Sequence, residues 1–142
     1  MSGAENAERL ERLYAAFEDE GAGAAAKIIE ELYDPEVELN TLQTGQAGGQ
    51  TYRGFEGMGA FFGELLSEFE NVRFEMPQFH PVGEHLVVAL TRIAGSERGT
   101  AMPVRQDLAL VYHFEAGRVV RVDAYETPAE ALEAAQRGHA DA

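Results

Sequence analysis

Apolar and polar positions alternate most regularly between Pro103 and Glu126. Leu108, Leu110, Tyr112 and Phe114 share one parity, and Val120, Val122 and Ala124 share one beyond Glu115-Ala116-Gly117. This period of two predicts a hairpin with one apolar face. A three-residue turn with Gly117 left-handed pairs Phe114 with Arg118 and Tyr112 with Val120, so that both apolar rows look the same way. A two-residue Ala116-Gly117 turn would set them on opposite sides. The three-residue register is preferred because it buries both rows together.

The remaining periodicities supply material to cover that face. Leu10, Leu13, Tyr14 and Phe17 recur at helical spacing between Asn6 and about Glu20. Gly21-Ala22-Gly23 interrupts the pattern, and Ala25, Ile28, Ile29 and Leu32 restart it in a second helix that Asp34-Pro35 ends. The loose match of Gly21 to Ala26 to a dinucleotide fingerprint is rejected, because a helix and not a strand precedes it. Glu36 to Leu42 alternates as a strand, and Gln43 to Gln50 has the glycine and amide content of a mobile loop. Beyond Thr51 to Gly57, Met58, Phe61, Phe62, Leu65 and Phe69 form the stripe of a third helix. Val72 to His80 and His85 to Ile93 read as strands, the second apolar on both parities and so covered on both faces. Thr127-Pro128-Ala129-Glu130 carries the cap, proline and capping-box glutamate of a short terminal helix, with a frayed tail after Gln136.

At 142 residues the chain is expected to be one domain, residues 1–142, with an ordered core from about 6 to 136. Eleven Lys and Arg stand against 25 Asp and Glu, a net charge of −14, which repels phosphate backbones and anionic lipid, so no nucleic acid and no membrane partner is expected. The absence of cysteine removes thiol nucleophiles, thiolate metal sites and disulfides. The acidic, polar start from Met1 to Leu10 lacks the basic and apolar runs of a secretory signal, so a cytoplasmic location is the expectation.

Several segments together resemble the SnoaL-like branch of the nuclear transport factor 2-like superfamily, which includes polyketide cyclases. They are Leu13 to Phe17, Leu32 to Val37, Tyr52 to Gly57, Phe61-Phe62, Phe114 to Arg121 with Tyr125, and Ala131 to Ala134. The resemblance implies an α+β cone-shaped roll. In it a curved mixed or antiparallel sheet wraps three helices from the N-terminal half, with a short C-terminal helix, an internal pocket and a homodimer formed through the convex sheet face. It does not carry a reaction across. Counted from Gly117 without gaps, the Arg-x-Asp of limonene-epoxide-hydrolase-type enzymes falls on Thr91-x-Ile93 and their second aspartate on Ala124. Their Tyr-x-Asn is half matched, as Glu38-x-Asn40. The acid of SnoaL-type cyclases also falls on Ala124, with Asp123 one place off on the opposite face. The polar interior of a steroid isomerase is echoed at most by Tyr14.

With the even face turned inward, Gln106, Leu108, Leu110, Tyr112, Val120, Val122 and Ala124 would form a cavity wall with Glu126 at the rim. Tyr14, Phe17, Asn40, Phe62 and Thr91 complete the expected lining. Tyr14 and Tyr112 are core tyrosines that could alternatively donate to a carbonyl or enolate oxygen. Glu126 is the candidate acid/base, against a plain solvated role before the helix cap. Arg105, Asp107, His113, Arg121 and Asp123 read as an ion-paired outer surface or subunit interface, with a catalytic His113–Asp pair as the alternative. Arg92 is expected to pair with a carboxylate across the sheet, and His80 and His85 lack the third ligand a zinc site needs. No metal and no cofactor is expected. The leading function is binding of a small apolar or polyketide-like ligand. The alternatives are a cofactor-independent cyclase, isomerase or dehydratase working next to a carbonyl, and a structural dimerisation domain whose cavity Phe61, Phe62 and Tyr112 fill.

Overall fold

The computed structural model describes residues 2–41 and 50–141. Two helices, α1 (Gly3–Glu20) and α2 (Ala22–Leu32), lead into strands β1 (Tyr33–Asn40) and β2 (Thr51–Arg53). Helix α3 (Gly54–Glu68) follows, then β3 (Phe69–Val82), β4 (Leu86–Glu97), β5 (Pro103–Glu115), β6 (Arg118–Tyr125) and α4 (Pro128–Asp141). The strands form one six-stranded sheet in the order β2-β1-β6-β5-β4-β3. Every neighbouring pair is antiparallel except β1 and β6, so the sheet is mixed. The α+β expectation holds. Leu42 and all of the expected loop but Gln50 lie outside the described residues.

Local chemistry explains where the elements begin. Helix α1 starts three residues before the expected Asn6, because the Glu5 N–H donates to Ser2 Oγ at 3.1 Å while the Ser2 N–H donates back to the Glu5 carboxylate at 3.4 Å. Helix α2 ends at Leu32, and strand structure already runs through Asp34-Pro35; a register irregularity between Tyr33 and Glu38 accommodates the proline. Thr127 Oγ1 accepts from the Glu130 N–H at 3.1 Å and caps α4 as expected. The helix then continues past Gln136 to Asp141, so the frayed tail is corrected.

The hairpin register also differs from the expectation. Glu115 pairs with Arg118 across a two-residue turn, with Ala116 at φ 51° and Gly117 at φ 78°, the double left-handed geometry of a type I′ turn. Phe114 then pairs with Val119 but His113 with Arg121, which leaves Val120 as an extra, unpaired residue. This bulge reverses the phase of β6, so Tyr112 faces Val122 and Leu110 faces Ala124. The coincidence of the two apolar rows is achieved, by a shorter turn plus a bulge.

Both sheet faces are covered. On the inner face Leu10, Leu13 and Tyr14 of α1 pack on Val87, Ala89, Tyr112, Phe114, Val119 and Val122. On the outer face Ala131 and Ala135 of α4 pack on Leu86, Val88, Ala109 and Val111. That is why Leu86 to Ala89 are apolar on both parities. No described helix is long and apolar enough to cross a membrane.

Ala116 has a Cβ in a left-handed position that asparagine tolerates better. Ala116→Asn is expected to stabilise the protein by about 0.5–1 kcal/mol in urea unfolding. A destabilised variant would contradict the type I′ turn.

Candidate functional site

Helix α2 presents Ala22, Ala25, Ala26 and Ile29 along one face, and α3 presents Phe55, Met58, Gly59, Phe62, Leu65 and Leu66. Small side chains opposite large ones do not close the space between the helices. A cavity of about 280 Å³ results, bounded also by Phe17 of α1 and by Val72 and Phe74 of β3. Its only ionisable lining residue is Glu30, which is exposed. The end of α3 is tied down beside it: the Arg98 guanidinium donates to the Leu66 carbonyl at 2.8 Å and the Arg98 N–H to the Glu68 carbonyl at 2.9 Å.

Phe74 separates this cavity from a buried trio of tyrosines. Its ring packs 5.3 Å from that of Phe17 and 5.2 Å from that of Tyr14. The Tyr14 and Tyr112 hydroxyls are 2.7 Å apart, and Tyr33, at the start of β1, is buried in the same core. Burial pushes Tyr14 up to about 12, outweighing the opposing effect of the Tyr112 hydrogen bond. Burial raises Tyr33 and Tyr112 as well; Tyr14 adds to the rise at both, while Tyr112 works against it at Tyr33. All three stay protonated, away from the cavity lining.

A second polar cluster occupies the outer face, where β1 lies beside β6 with Glu38 opposite Arg121 and Asn40 opposite Asp123. Asp123, only 6% exposed, accepts from Asn40 Nδ2 at 2.7 Å, Arg121 Nε at 2.8 Å and His113 Nε2 at 3.0 Å. Burial alone would raise its pKa, but the hydrogen bonds from His113, Arg121 and Asn40 together hold it at about 2. A carboxylate that acidic is a feeble general base. Glu38 extends the network to Arg53 at 3.3 Å, and Thr51 Oγ1 donates to Asn40 Oδ1 at 2.7 Å. A polar hollow of about 330 Å³ lies over these residues and is bounded also by Thr41, Ala124 and Tyr125.

The side chains expected to form one pocket are therefore dispersed. Phe17 and Phe62 line the cavity. Tyr14, Tyr112 and Val122 lie in the core beneath α1, and Leu108 and Leu110 are half-buried outside the lining. Thr91 Oγ1 donates to the Glu75 carbonyl at 2.9 Å, within the irregular part of β3. Asn40 is on the opposite sheet face, a correction that follows from its pairing with Asp123. Gln106 and Glu126 are exposed and lie outside the cavity lining, and Ala124 pairs with Leu110 and borders the outer hollow. Phe61 turns to Tyr52, 5.4 Å away. Arg92 pairs with Asp107 at 2.9 Å, as expected. Sequence reasoning did not single out the α2 alanines, Glu30 or Tyr33; the alanine run from Ala24 to Ala26 facing a phenylalanine-rich helix was the available signal. Among the described residues no group of three or more His, Asp or Glu is placed to hold a metal.

Helices within a curved mixed sheet, with a cavity between α2, α3 and β3, define an NTF2-like α+β cone. The model of the SnoaL-like domain matches residues 10–122, and the chain belongs to that family. Among solved structures it is similar to an NTF2-like protein of unknown function from Burkholderia pseudomallei, at 21% identity and TM-score 0.70 over 94% of this chain and 97% of that one. It is also similar to a candidate polyketide cyclase from Xanthomonas campestris pv. campestris (14% identity, TM-score 0.71, 94% and 99% covered). A candidate SnoaL-like polyketide cyclase from Jannaschia is comparable (20%, 0.69, 94% and 92%). No curated protein matches the sequence.

The two polar clusters set the pH limits of stability. Asp123 has a depressed pKa, so its contribution is complete above the ordinary 3.8 and is lost as pH falls to about 2. Tyr14 has a raised pKa, so its contribution is complete below 10.0 and is lost as pH rises through about 12. Asp123→Asn is expected to cost about 2 kcal/mol at pH 7 and progressively less as pH falls through about 2, in urea unfolding against pH. An equal cost at both pH values would rule out the carboxylate as the source.

Proposed function

We propose that the protein binds a small, largely apolar molecule in the cavity between α2, α3 and β3. The observation that carries this reading is the composition of the lining: apolar and aromatic side chains throughout, with Glu30 the single ionisable group. The potential acid/base residues lie elsewhere. Glu126 is exposed, Glu38 is on the outer face, Asp107 is paired with Arg92, and the tyrosine trio is behind Phe74. The reading as a structural dimerisation domain required a cavity filled by Phe61, Phe62 and Tyr112; Phe62 borders an open space instead. Phe17 and Phe62 are the residues of the original expectation that we assign to ligand contact. We further propose a cytoplasmic homodimer joined through the outer sheet face, where cations and carboxylates alternate.

A second reading is a cyclase or isomerase acting next to a carbonyl. It is favoured by one observation, that Phe74 of the cavity lining packs its ring 5.2 Å from that of Tyr14, and is supported by the cyclase descriptions of two structural neighbours. In it a ligand that displaced Phe74 would place its oxygen against Tyr14 and Tyr112.

Both readings place the ligand in the same space, and Gly59 tests it. Gly59 borders the cavity and a Cβ added there meets no atom within 4 Å, so Gly59→Leu adds its side chain to open space at the cavity wall. It is expected to stabilise α3 by about 1 kcal/mol. Hydrophobic compounds that raise the melting temperature of the wild type are expected to leave this variant unchanged. Equal shifts in both proteins would exclude the cavity as the binding place.

A further inference from the structure

We propose that the cavity selects a compact organic cation, an apolar body carrying a tertiary or quaternary ammonium, with Glu30 as the specificity-determining residue. The inference rests on the binding role proposed above and adds the charge class of the ligand.

Glu30 is in the last turn of α2, and that turn holds no basic residue. The negative end of the helix dipole adds to the carboxylate there, so the potential at this side of the cavity favours a cation. Among the described residues Glu30 makes no ion pair or hydrogen bond; Lys27, one turn earlier, is exposed and outside the lining. Glu30 is exposed and also borders the cavity, so its carboxylate is available to an incoming ligand.

The walls point to the same charge. Phe17, Phe55, Phe62 and Phe74 all border the space, and the negative face of an aromatic ring attracts an alkylated ammonium. The lining contains no Arg, Lys or His to pair with an anionic ligand, and the chain as a whole carries −14. The lining also limits the type of cation. A primary ammonium brings three N–H donors and would meet one carboxylate, leaving donors unsatisfied. An alkylated ammonium has one donor or none and spreads its charge over carbon, which suits an apolar, aromatic wall.

The test is an NMR titration of wild type and Glu30→Gln with three probes: benzyltrimethylammonium, its uncharged carbon isostere neopentylbenzene, and phenylacetate. In the wild type at low salt the cation is expected to bind most tightly and phenylacetate most weakly. Glu30→Gln should weaken the cation by about three- to tenfold and leave neopentylbenzene unchanged, and raised salt should weaken the cation alone. If neopentylbenzene binds as tightly as the cation in the wild type, the charge assignment falls and the apolar pocket stands. Retention of the full cation preference in Glu30→Gln overturns the role of this residue. If none of the three probes binds, the binding role itself is lost along with the inference.

Discussion

The turn at Ala116-Gly117 is two residues long, so β5 and β6 leave it in a phase that would point Val122 and Ala124 away from α1; the unpaired Val120 reverses that phase. Everything built on the sheet depends on this one inserted residue, because side chains alternate strictly and a shift of one exchanges the faces. With the bulge in place, Val119 and Val122 both join the inner core although they differ in parity. Asp123 is turned to the outer face, where Asn40, Arg121 and His113 converge on it. Without the bulge the same carboxylate would be driven beneath α1, among Leu10, Leu13 and Tyr14, with none of these donors available. Burial of an unpaired carboxylate is among the more expensive errors a fold can contain, so the polar cluster and the apolar core enforce the same register.

The position of the cavity follows from how well α1 fits this face. Leu10, Leu13 and Tyr14 fill the space over Val87, Tyr112 and Val122, so the middle of the sheet is solid. Space remains only where the covering helix has little side-chain volume. Helix α2 meets that condition, with Ala22, Ala25 and Ala26 facing the larger residues of α3. The gap persists because each neighbouring element is held independently. The Arg98 bonds fix the end of α3, and α1 is anchored by its own packing on the sheet. An apolar gap kept open in this way forfeits dispersion contacts that a ligand can restore.

Fold and site were legible to different degrees for physical reasons. Period-two and period-3.6 patterns report which face of an element is buried, and they identified the helices, the long strands and the doubly covered stretch at Leu86 to Ala89. They do not report what lies opposite. The expectation of a pocket over Leu108, Leu110 and Tyr112 treated the apolar face of the hairpin as a cavity wall, when Tyr112 is packed beneath α1 and none of the three lines the cavity. Asn40 was misplaced because the short Glu36 to Leu42 pattern does not indicate its register with β6. That register comes from a parallel pairing across a proline-containing irregularity, which leaves no local trace. The capping box of Ser2 and Glu5, which starts α1 before Asn6, was not among the signals read from the sequence. The turn was misread because a three-residue loop was the simplest way to bring both apolar rows to one side, whereas a two-residue turn followed by the bulge at Val120 achieves the same.

The distribution of polar groups bears on what the cavity can do. Proton transfer next to a carbonyl needs a group whose pKa lies near the working pH and which touches the reacting atoms. Asp123 is held at about 2 and lies across the sheet; Tyr14 is pushed to about 12 and lies behind Phe74. Both are displaced from the useful range, in opposite directions, by the interactions that make them structurally valuable. Asp123 is depressed because three donors satisfy it, and the tyrosines are raised because they are sealed from water. Recruiting either for catalysis would mean dismantling the arrangement that stabilises it. The cavity, in contrast, is bounded by apolar side chains, and among the described residues the Glu30 carboxylate makes no ion pair or hydrogen bond. Ligand contact there can therefore be adjusted by substitution along α2 and α3 while the clusters that hold the sheet together are left intact.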